Sequence, residues 1–162
     1  MNKQNPHTLF LAPSGSGVGL TTVALGLVRA LDFRGVRVAF FKPIGQTFNG
    51  DSGPERSTHF VRSTTQLRPA DPIPQHEAAR LISSGDEEQL MELVVARYNE
   101  SCRDADIVVV EGMVHTQEWP TAANINAALA QTLSAHVVLT GTLRGDGDTD
   151  FANFESRTEL SI

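Results

Sequence analysis

The most informative part of the chain is residues 8–22, whose sequence is TLFLAPSGSGVGLTT. The apolar run from Thr8 to Ala12 predicts a short strand that is buried on both of its faces. Apolar residues with helical spacing follow the glycines and predict a helix from Gly19 to Leu31; they are Leu20, Ala24, Leu27 and Leu31. The segment therefore predicts a strand, a glycine-rich turn and a helix in immediate succession.

Apolar runs later in the chain predict three more strands, near residues 36–41, 106–111 and 136–140. Strands that alternate with helical patterns are typical of an α/β domain. We expect one domain over residues 1–162, built as a doubly wound parallel sheet with helices on both faces. Ligands of such sheets bind at the carboxyl ends of the strands, so the functional residues are expected there.

Helical patterns predict further helices over residues 76–82, 86–100 and 122–133, and a last helix over 151–160. Residues 84–87, Ser-Gly-Asp-Glu, have the pattern of a capping box before the second of these. Residues 45–74 are rich in Gly, Ser, Thr and Pro and are predicted to form loops with little regular structure.

Composition and charge limit the function classes. The chain has 162 residues and a formal net charge of −6 at pH 7, which does not suit binding to nucleic acid. No apolar run approaches the roughly 20 residues that span a bilayer, and the amino terminus lacks the apolar core of a signal peptide. The single cysteine, Cys102, cannot form an internal disulfide and is expected to be inert. We expect a cytoplasmic protein that binds neither nucleic acid nor membrane.

The glycine-rich turn predicts an anion site. Backbone N–H groups of such a turn, with a helix dipole behind them, can hold a phosphate. A full P-loop, G-x-x-x-x-G-K-[ST], also supplies a lysine and a hydroxyl; here Gly19 and Thr21 fit, but Ser14 and Leu20 replace the first glycine and the lysine. We therefore expect weak triphosphate binding and slower hydrolysis still. The residues expected to bind are Gly15, Ser16, Gly17, Val18, Gly19, Thr21, Thr22 and Lys42.

Two other interpretations of the turn were weighed. A Rossmann dinucleotide site needs G-x-G-x-x-G, but Gly15 and Gly17 are followed by Leu20, and Lys42 stands where an acidic residue is expected. The second is a tight turn that binds nothing, which the sequence leaves open.

Charged residues follow two of the other strands. Lys42 ends the second strand; there it either supplies the cation that Leu20 cannot or is simply an exposed lysine at a strand end. Glu111 follows four apolar residues at the end of the third strand, where a carboxylate needs water, a cation or N–H groups. If a nucleotide binds with Mg²⁺, the expected ligands of the metal are Thr21, Asp51 and Glu111. A hydrogen-bonded structural carboxylate is the alternative for Glu111.

Together the three strand ends resemble the dethiobiotin-synthetase-like P-loop domains. The matching segments are Val18-Gly19-Leu20-Thr21, Lys42-Pro43 and Val110-Glu111-Gly112. The chain is still more similar to the amino-terminal domain of the long bacterial phosphate acetyltransferases, which also carries leucine at the lysine position. That resemblance covers Pro13 to Thr21, Gly26 to Ala30, Phe41 to Gln46 and Val109 to Gly112, and it runs from about residue 8 to the end.

The resemblance implies a regulatory, non-catalytic domain of an enzyme that interconverts acetyl-CoA plus phosphate with acetyl phosphate plus CoA. It implies a transferase domain outside this chain, a homo-oligomer, and small-molecule effectors such as ATP, NADH, pyruvate or phosphoenolpyruvate. It also implies that the chain is a piece of a longer protein. Two alternatives remain: an ATP-dependent ligase of the dethiobiotin synthetase type, against which Leu20 argues, and a structural module that binds nothing.

Overall fold

The computed structural model describes residues 6–47 and 53–142. These ranges contain four strands and five helices, with at least one helix between consecutive strands. In chain order they are β1 (His7–Pro13), α1 (Leu20–Phe33), β2 (Val38–Phe41), α2 (Arg56–Thr64), α3 (Gln75–Ser83), α4 (Glu87–Ser101), β3 (Ile107–Glu111), α5 (Ala122–Thr132) and β4 (His136–Thr140).

The four strands form one parallel sheet in the order β2-β3-β1-β4. The register pairs Leu11 with Glu111 and Phe41 with Val110, so the carboxyl ends of β2, β3 and β1 lie side by side. The predicted α/β fold with a parallel sheet is confirmed. The predicted helix over 151–160 lies outside the described residues.

Helices cover both faces of the sheet because consecutive strand residues point to opposite sides. On one face, Phe10 and Phe41 pack with the buried residues of α3, α4 and α5. On the other face, Leu11 and Phe40 pack with α1 and with Val61 of α2. The central strands are therefore buried on both sides, as their continuous apolar runs predict.

The prediction of loops over residues 45–74 is wrong in part, because α2 lies within this range. The buried residues of α2 are Ser57, Thr58 and Val61, so only one of them is apolar. A helix that buries hydroxyl groups gives no apolar periodicity to detect. Its first turn is capped by the carboxylate of Glu55, which accepts from the backbone N–H groups of Ser57 and Thr58.

The predicted capping box before α4 is also wrong. The cap residue is Asp86, which makes no side-chain capping bond. The hydroxyl of Ser84 instead donates to the carbonyl of Arg80 at 2.8 Å, so it closes the end of α3. No helix among the described residues is both long and apolar enough to cross a bilayer.

Candidate functional site

The amino terminus of α1 opens toward the carboxyl edge of the sheet. Gly17 and Gly19 have φ angles of 69° and 76°, a left-handed conformation that glycine adopts without strain. Gly19 is the cap residue of α1; it has no side chain to cap the helix, and the first turn carries no acidic residue. The first N–H groups of a helix have no partner within it and carry partial positive charge. This turn therefore retains the electrostatics of an anion site.

A cavity of about 770 Å³ lies over this turn. Its lining includes all but two of the residues predicted for the site, namely Ser16, Gly17, Val18, Gly19, Thr21, Thr22, Lys42 and Glu111. Gly15 belongs to the same turn but is not part of the lining, and Asp51 lies outside the described residues. The fold thus brings three separate strand ends to one cavity.

Leu20 stands at the position of the P-loop lysine and lines the cavity, but most of its surface is buried in the core. Its side chain is only 4 % exposed and packs in the same cluster as Ala24 and Val28 of α1. The leucine thus joins the apolar face between α1 and the sheet. Position 20 therefore supplies packing and no charge to a ligand.

Lys42 and Glu111 are bonded directly to each other. Nζ of Lys42 donates to Oε1 of Glu111 at 3.0 Å and to the carbonyl of Gly112 at 2.7 Å. The two side chains are 3 % and 2 % exposed, so this is a buried ion pair. Lys42 thus lines the cavity with its charge paired to Glu111, and its expected contact with a ligand stays a prediction.

Two hydroxyl groups complete the surroundings of Glu111. Ser57 and Thr21 both donate to its Oε1, at 2.7 Å and 3.3 Å, and their own oxygens are 2.9 Å apart. Oε1 therefore accepts from an ammonium group and two hydroxyls, whereas Oε2 is buried and has no hydrogen-bond partner among residues 6–47 and 53–142. A buried carboxylate oxygen without a partner is unusual, because it loses its water without compensation.

Oε2 of Glu111 and the hydroxyls of Thr21 and Ser57 are the hard oxygen donors that Mg²⁺ prefers, so these residues fit the metal. The described ranges contain no group of three or more His, Cys, Asp or Glu side chains that would hold a metal by themselves. One carboxylate is a small number of charged protein ligands for Mg²⁺, but this ion commonly completes its coordination shell with ligand phosphates and water.

Two amide side chains fix the segment that leaves β3 along the cavity. Gln46 pairs with the backbone N–H and C=O of Val114, at 2.7 and 2.8 Å, as a neighbouring strand would. Asn126 of α5 makes the same pair of bonds to Met113, at 2.7 and 2.8 Å. The hydroxyl of Ser16 donates to the next carbonyl, that of His115, at 3.3 Å. The wall facing the glycine-rich turn is therefore held on both sides.

Sequence reasoning missed the part of the site that α2 supplies. Glu55, Ser57 and Phe60 all line the cavity, and Phe60 is 45 % exposed. The signal available was Glu55 followed by Ser57 and Thr58, an acidic residue at the start of a polar helix. Gln46 carries no sequence signal beyond the family resemblance, because nothing local shows that an amide will meet a distant backbone.

Cys102 is buried in the core at 2 % exposure. Burial raises the pKa of its thiol to about 12, because the apolar surroundings disfavour the thiolate. The nucleophilic form is therefore scarce at neutral pH, in agreement with the expectation of an inert thiol.

A family model described as AAA domain (AAA_26) matches residues 7–150. The chain is 45 % identical over 133 residues to phosphate acetyltransferase of Pseudomonas aeruginosa, a match that covers 82 % of this chain and 19 % of that protein. It is 42 % identical over 147 residues to phosphate acetyltransferase of Deinococcus radiodurans, covering 90 % and 21 %. It is 39 % identical over 131 residues to that of Escherichia coli, covering 80 % and 18 %. The chain spans about a fifth of the length of these relatives and is homologous to their amino-terminal part.

Proposed function

Because this chain belongs to the AAA domain family (AAA_26), we propose that it is the amino-terminal regulatory domain of a phosphate acetyltransferase. In this proposal the chain transfers no acetyl group by itself, and it binds a small anionic effector over the glycine-rich turn. Its partners are the remaining domains of the parent enzyme and further copies of itself in a cytoplasmic homo-oligomer. The identity of 39–45 % to phosphate acetyltransferases supports the proposal that the parent enzyme is a phosphate acetyltransferase.

The observation that carries the binding proposal is the uncapped amino terminus of α1 beside a cavity of about 770 Å³. The backbone there offers N–H donors, and no acidic side chain in the first turn offsets their charge. A turn that served packing alone would have no need to leave these donors facing an open cavity.

The same geometry argues against ATP-dependent chemistry. Phosphoryl transfer depends on cations placed against the β- and γ-phosphates. Leu20 provides none at the position of the P-loop lysine, and in this structure Lys42 is bonded to Glu111. The ligase alternative is therefore the weaker hypothesis. Where the residues of this site hold Mg²⁺, it would supply charge neutralisation for an anionic ligand, with Glu111, Thr21 and Ser57 as the protein's donors.

The proposal is tested by titration calorimetry with ATP, NADH, pyruvate and inorganic phosphate on two variants of one exposed residue. Thr22 lines the cavity in the first turn of α1. Thr22→Glu places a negative charge there, so it repels an anion while it favours the helix dipole by about 0.3–1 kcal/mol. We expect at least about tenfold weaker binding of the effector together with an unchanged or higher melting temperature. Thr22→Gln is the matched neutral control and should bind as the native chain does.

If none of these anions binds the native chain, the effector proposal fails and the structural-module alternative stands. If Thr22→Glu and Thr22→Gln bind equally well, the ligand lies elsewhere. The lack of acetyl transfer is checked separately, by following acetyl phosphate formation from acetyl-CoA and phosphate. Turnover by this chain alone would contradict a regulatory role.

A further inference from the structure

The arrangement around Glu111 has an unusual asymmetry. Its donors from Lys42, Ser57 and Thr21 all meet at Oε1, and Oε2 is left buried with no partner in the part of the chain that the structure describes. The ammonium group of Lys42 lies where it neutralises the carboxylate, but it satisfies only one of the two oxygens. The Lys42–Glu111 pair is therefore neutral in charge, and the hydrogen bonding of its carboxylate to the described residues is incomplete.

Lys42 can pair with Glu111 or contact a bound anion closely, and the first of these weakens the second. An ammonium group held at 3.0 Å by Glu111 and at 2.7 Å by the carbonyl of Gly112 has two of its three N–H donors already in use. Its attraction for an anion over the turn is offset by the adjacent negative charge of Glu111. To contact such an anion closely, Lys42 must leave Glu111. Oε1 of that carboxylate then loses its cation, while Oε2 has no partner to begin with among the described residues.

A divalent cation also binds weakly while Lys42 is paired with Glu111. One carboxylate that is already paired with an ammonium group attracts a second cation weakly, because the ion pair has no net charge. Once Lys42 turns to an anion, Glu111 regains its full charge and offers two oxygens beside the hydroxyls of Thr21 and Ser57. A bound anion would also add oxygen ligands of its own.

We propose that Lys42 takes the place of a divalent cation at Glu111 and that it exchanges between Glu111 and the bound anion. An anionic ligand and a divalent cation, Mg²⁺ by its preference for oxygen, then bind with positive coupling. This inference rests on the proposed function, since it requires an anion over the turn. It adds that Glu111 restrains anion binding when no metal is present.

The first test needs no metal. Glu111→Gln keeps the size of the side chain and removes its charge, so Lys42 is released toward the cavity. We expect Glu111→Gln to bind inorganic phosphate or pyrophosphate about tenfold or more tightly than the native chain in calorimetry with a chelator present. Glu92→Gln, at an exposed position on α4, is the control and should leave the affinity unchanged. Equal affinity in the native chain and in Glu111→Gln would overturn the exchange.

The second test measures metal binding through the electron paramagnetic resonance signal of free Mn²⁺, with and without saturating phosphate. The native chain should bind Mn²⁺ at least about tenfold more tightly when phosphate is present. Lys42→Met should bind Mn²⁺ without phosphate nearly as tightly as the native chain does with it, and phosphate should then add less than about threefold. If the phosphate effect in Lys42→Met is as large as in the native chain, the coupling comes from direct anion–metal contact and the role of Lys42 is refuted.

These outcomes separate the two proposals. Failure of phosphate, pyrophosphate and the effectors to bind either the native chain or Glu111→Gln removes the proposed function, and the exchange with it. Anion binding that is sensitive to Thr22→Glu but indifferent to Glu111→Gln keeps the proposed function and overturns the exchange. Lys42→Met leaves a buried carboxylate without its cation, so circular dichroism must first show that the variant is folded; Glu111→Gln decides the question if it is not.

Discussion

Replacement of Gly112 by alanine is expected to destabilise the fold strongly, although Gly112 has an ordinary negative or extended φ. A Cβ atom at this position would lie 2.9 Å from each of three atoms: the carbonyl oxygen of Leu11, Cε1 of Phe10 and Oδ1 of Asn126. The carbonyl of Leu11 cannot retreat, since it accepts from the N–H of Gly112 at 3.0 Å within the sheet. Asn126 cannot move without losing its two bonds to Met113.

The magnitude follows from these contacts. Overpacking of a tight interior typically costs about 1–3 kcal/mol, and each lost hydrogen bond about 0.5–1.5 kcal/mol. We expect Gly112→Ala to lower the free energy of unfolding by about 2–4 kcal/mol. For a chain of this size, that corresponds to a fall of about 4–16 °C in the melting temperature.

The assay is urea and thermal unfolding followed by circular dichroism, with two glycine controls. Gly26 is exposed within α1, with nothing within 4 Å of its Cβ position, so Gly26→Ala should stabilise the helix by about 1 kcal/mol. Gly17 has open space but a φ of 69°, so Gly17→Ala should cost about 1–2 kcal/mol through backbone strain alone. A Gly112→Ala chain that melts within 2 °C of the native one would refute the close contact.

Three further predictions concern the site and the core. Lys42→Met should lower the free energy of unfolding by about 3–5 kcal/mol in urea titrations, because it leaves a buried charge, and the double variant with Glu111→Gln should recover most of the loss. Leu20→Lys should strengthen ATP binding in calorimetry, at a cost in stability because the position is 4 % exposed, while Leu20→Met should change neither by much; ATP affinity equal to that of the native chain would count against the site. The folded-state pKa of Cys102 is raised to about 12 from 9.0, so the unfolded chain loses the thiol proton first as the pH rises. The free energy of unfolding should therefore fall between pH 9 and 12, by about 1.4 kcal/mol per pH unit at most. Cys102→Ala should lack that decline in alkaline melts, and a parallel decline in both chains would contradict it.

Much of the fold was accessible from local pattern. Continuous apolar runs such as Ile107 to Val110 indicate strands buried on both faces, and their alternation with helical spacing indicates a parallel sheet. The rule that carboxyl ends meet at one edge then placed the glycine-rich turn, Lys42 and Glu111 near a common cavity. These inferences need only residue order and periodicity, and both can be read from short segments of a single sequence.

The pairings within the site were not accessible in this way. Ser57 reaches Glu111 from a helix whose buried face is polar, and Gln46 meets the backbone of Val114 across 68 positions of sequence. Neither contact leaves a periodic signal, because a hydroxyl on a helix or an amide in a loop is equally compatible with exposure to solvent. The missed helix α2 has the same origin, because its buried face is polar. The wrong capping box has a different one, because Ser84 bonds to the nearby carbonyl of Arg80.

The sequence by itself determined which residues carry charge and where the chain turns: a leucine instead of a lysine at position 20, a lysine and a carboxylate after two buried strands, and glycines where φ must be positive. Only the tertiary structure decided that Lys42 and Glu111 neutralise each other at 3.0 Å and that the described residues give one oxygen of this carboxylate no partner. The reason is physical. The charge of a side chain is a local property, whereas its partner is set by strand order and register, which bring together residues that are 69 positions apart.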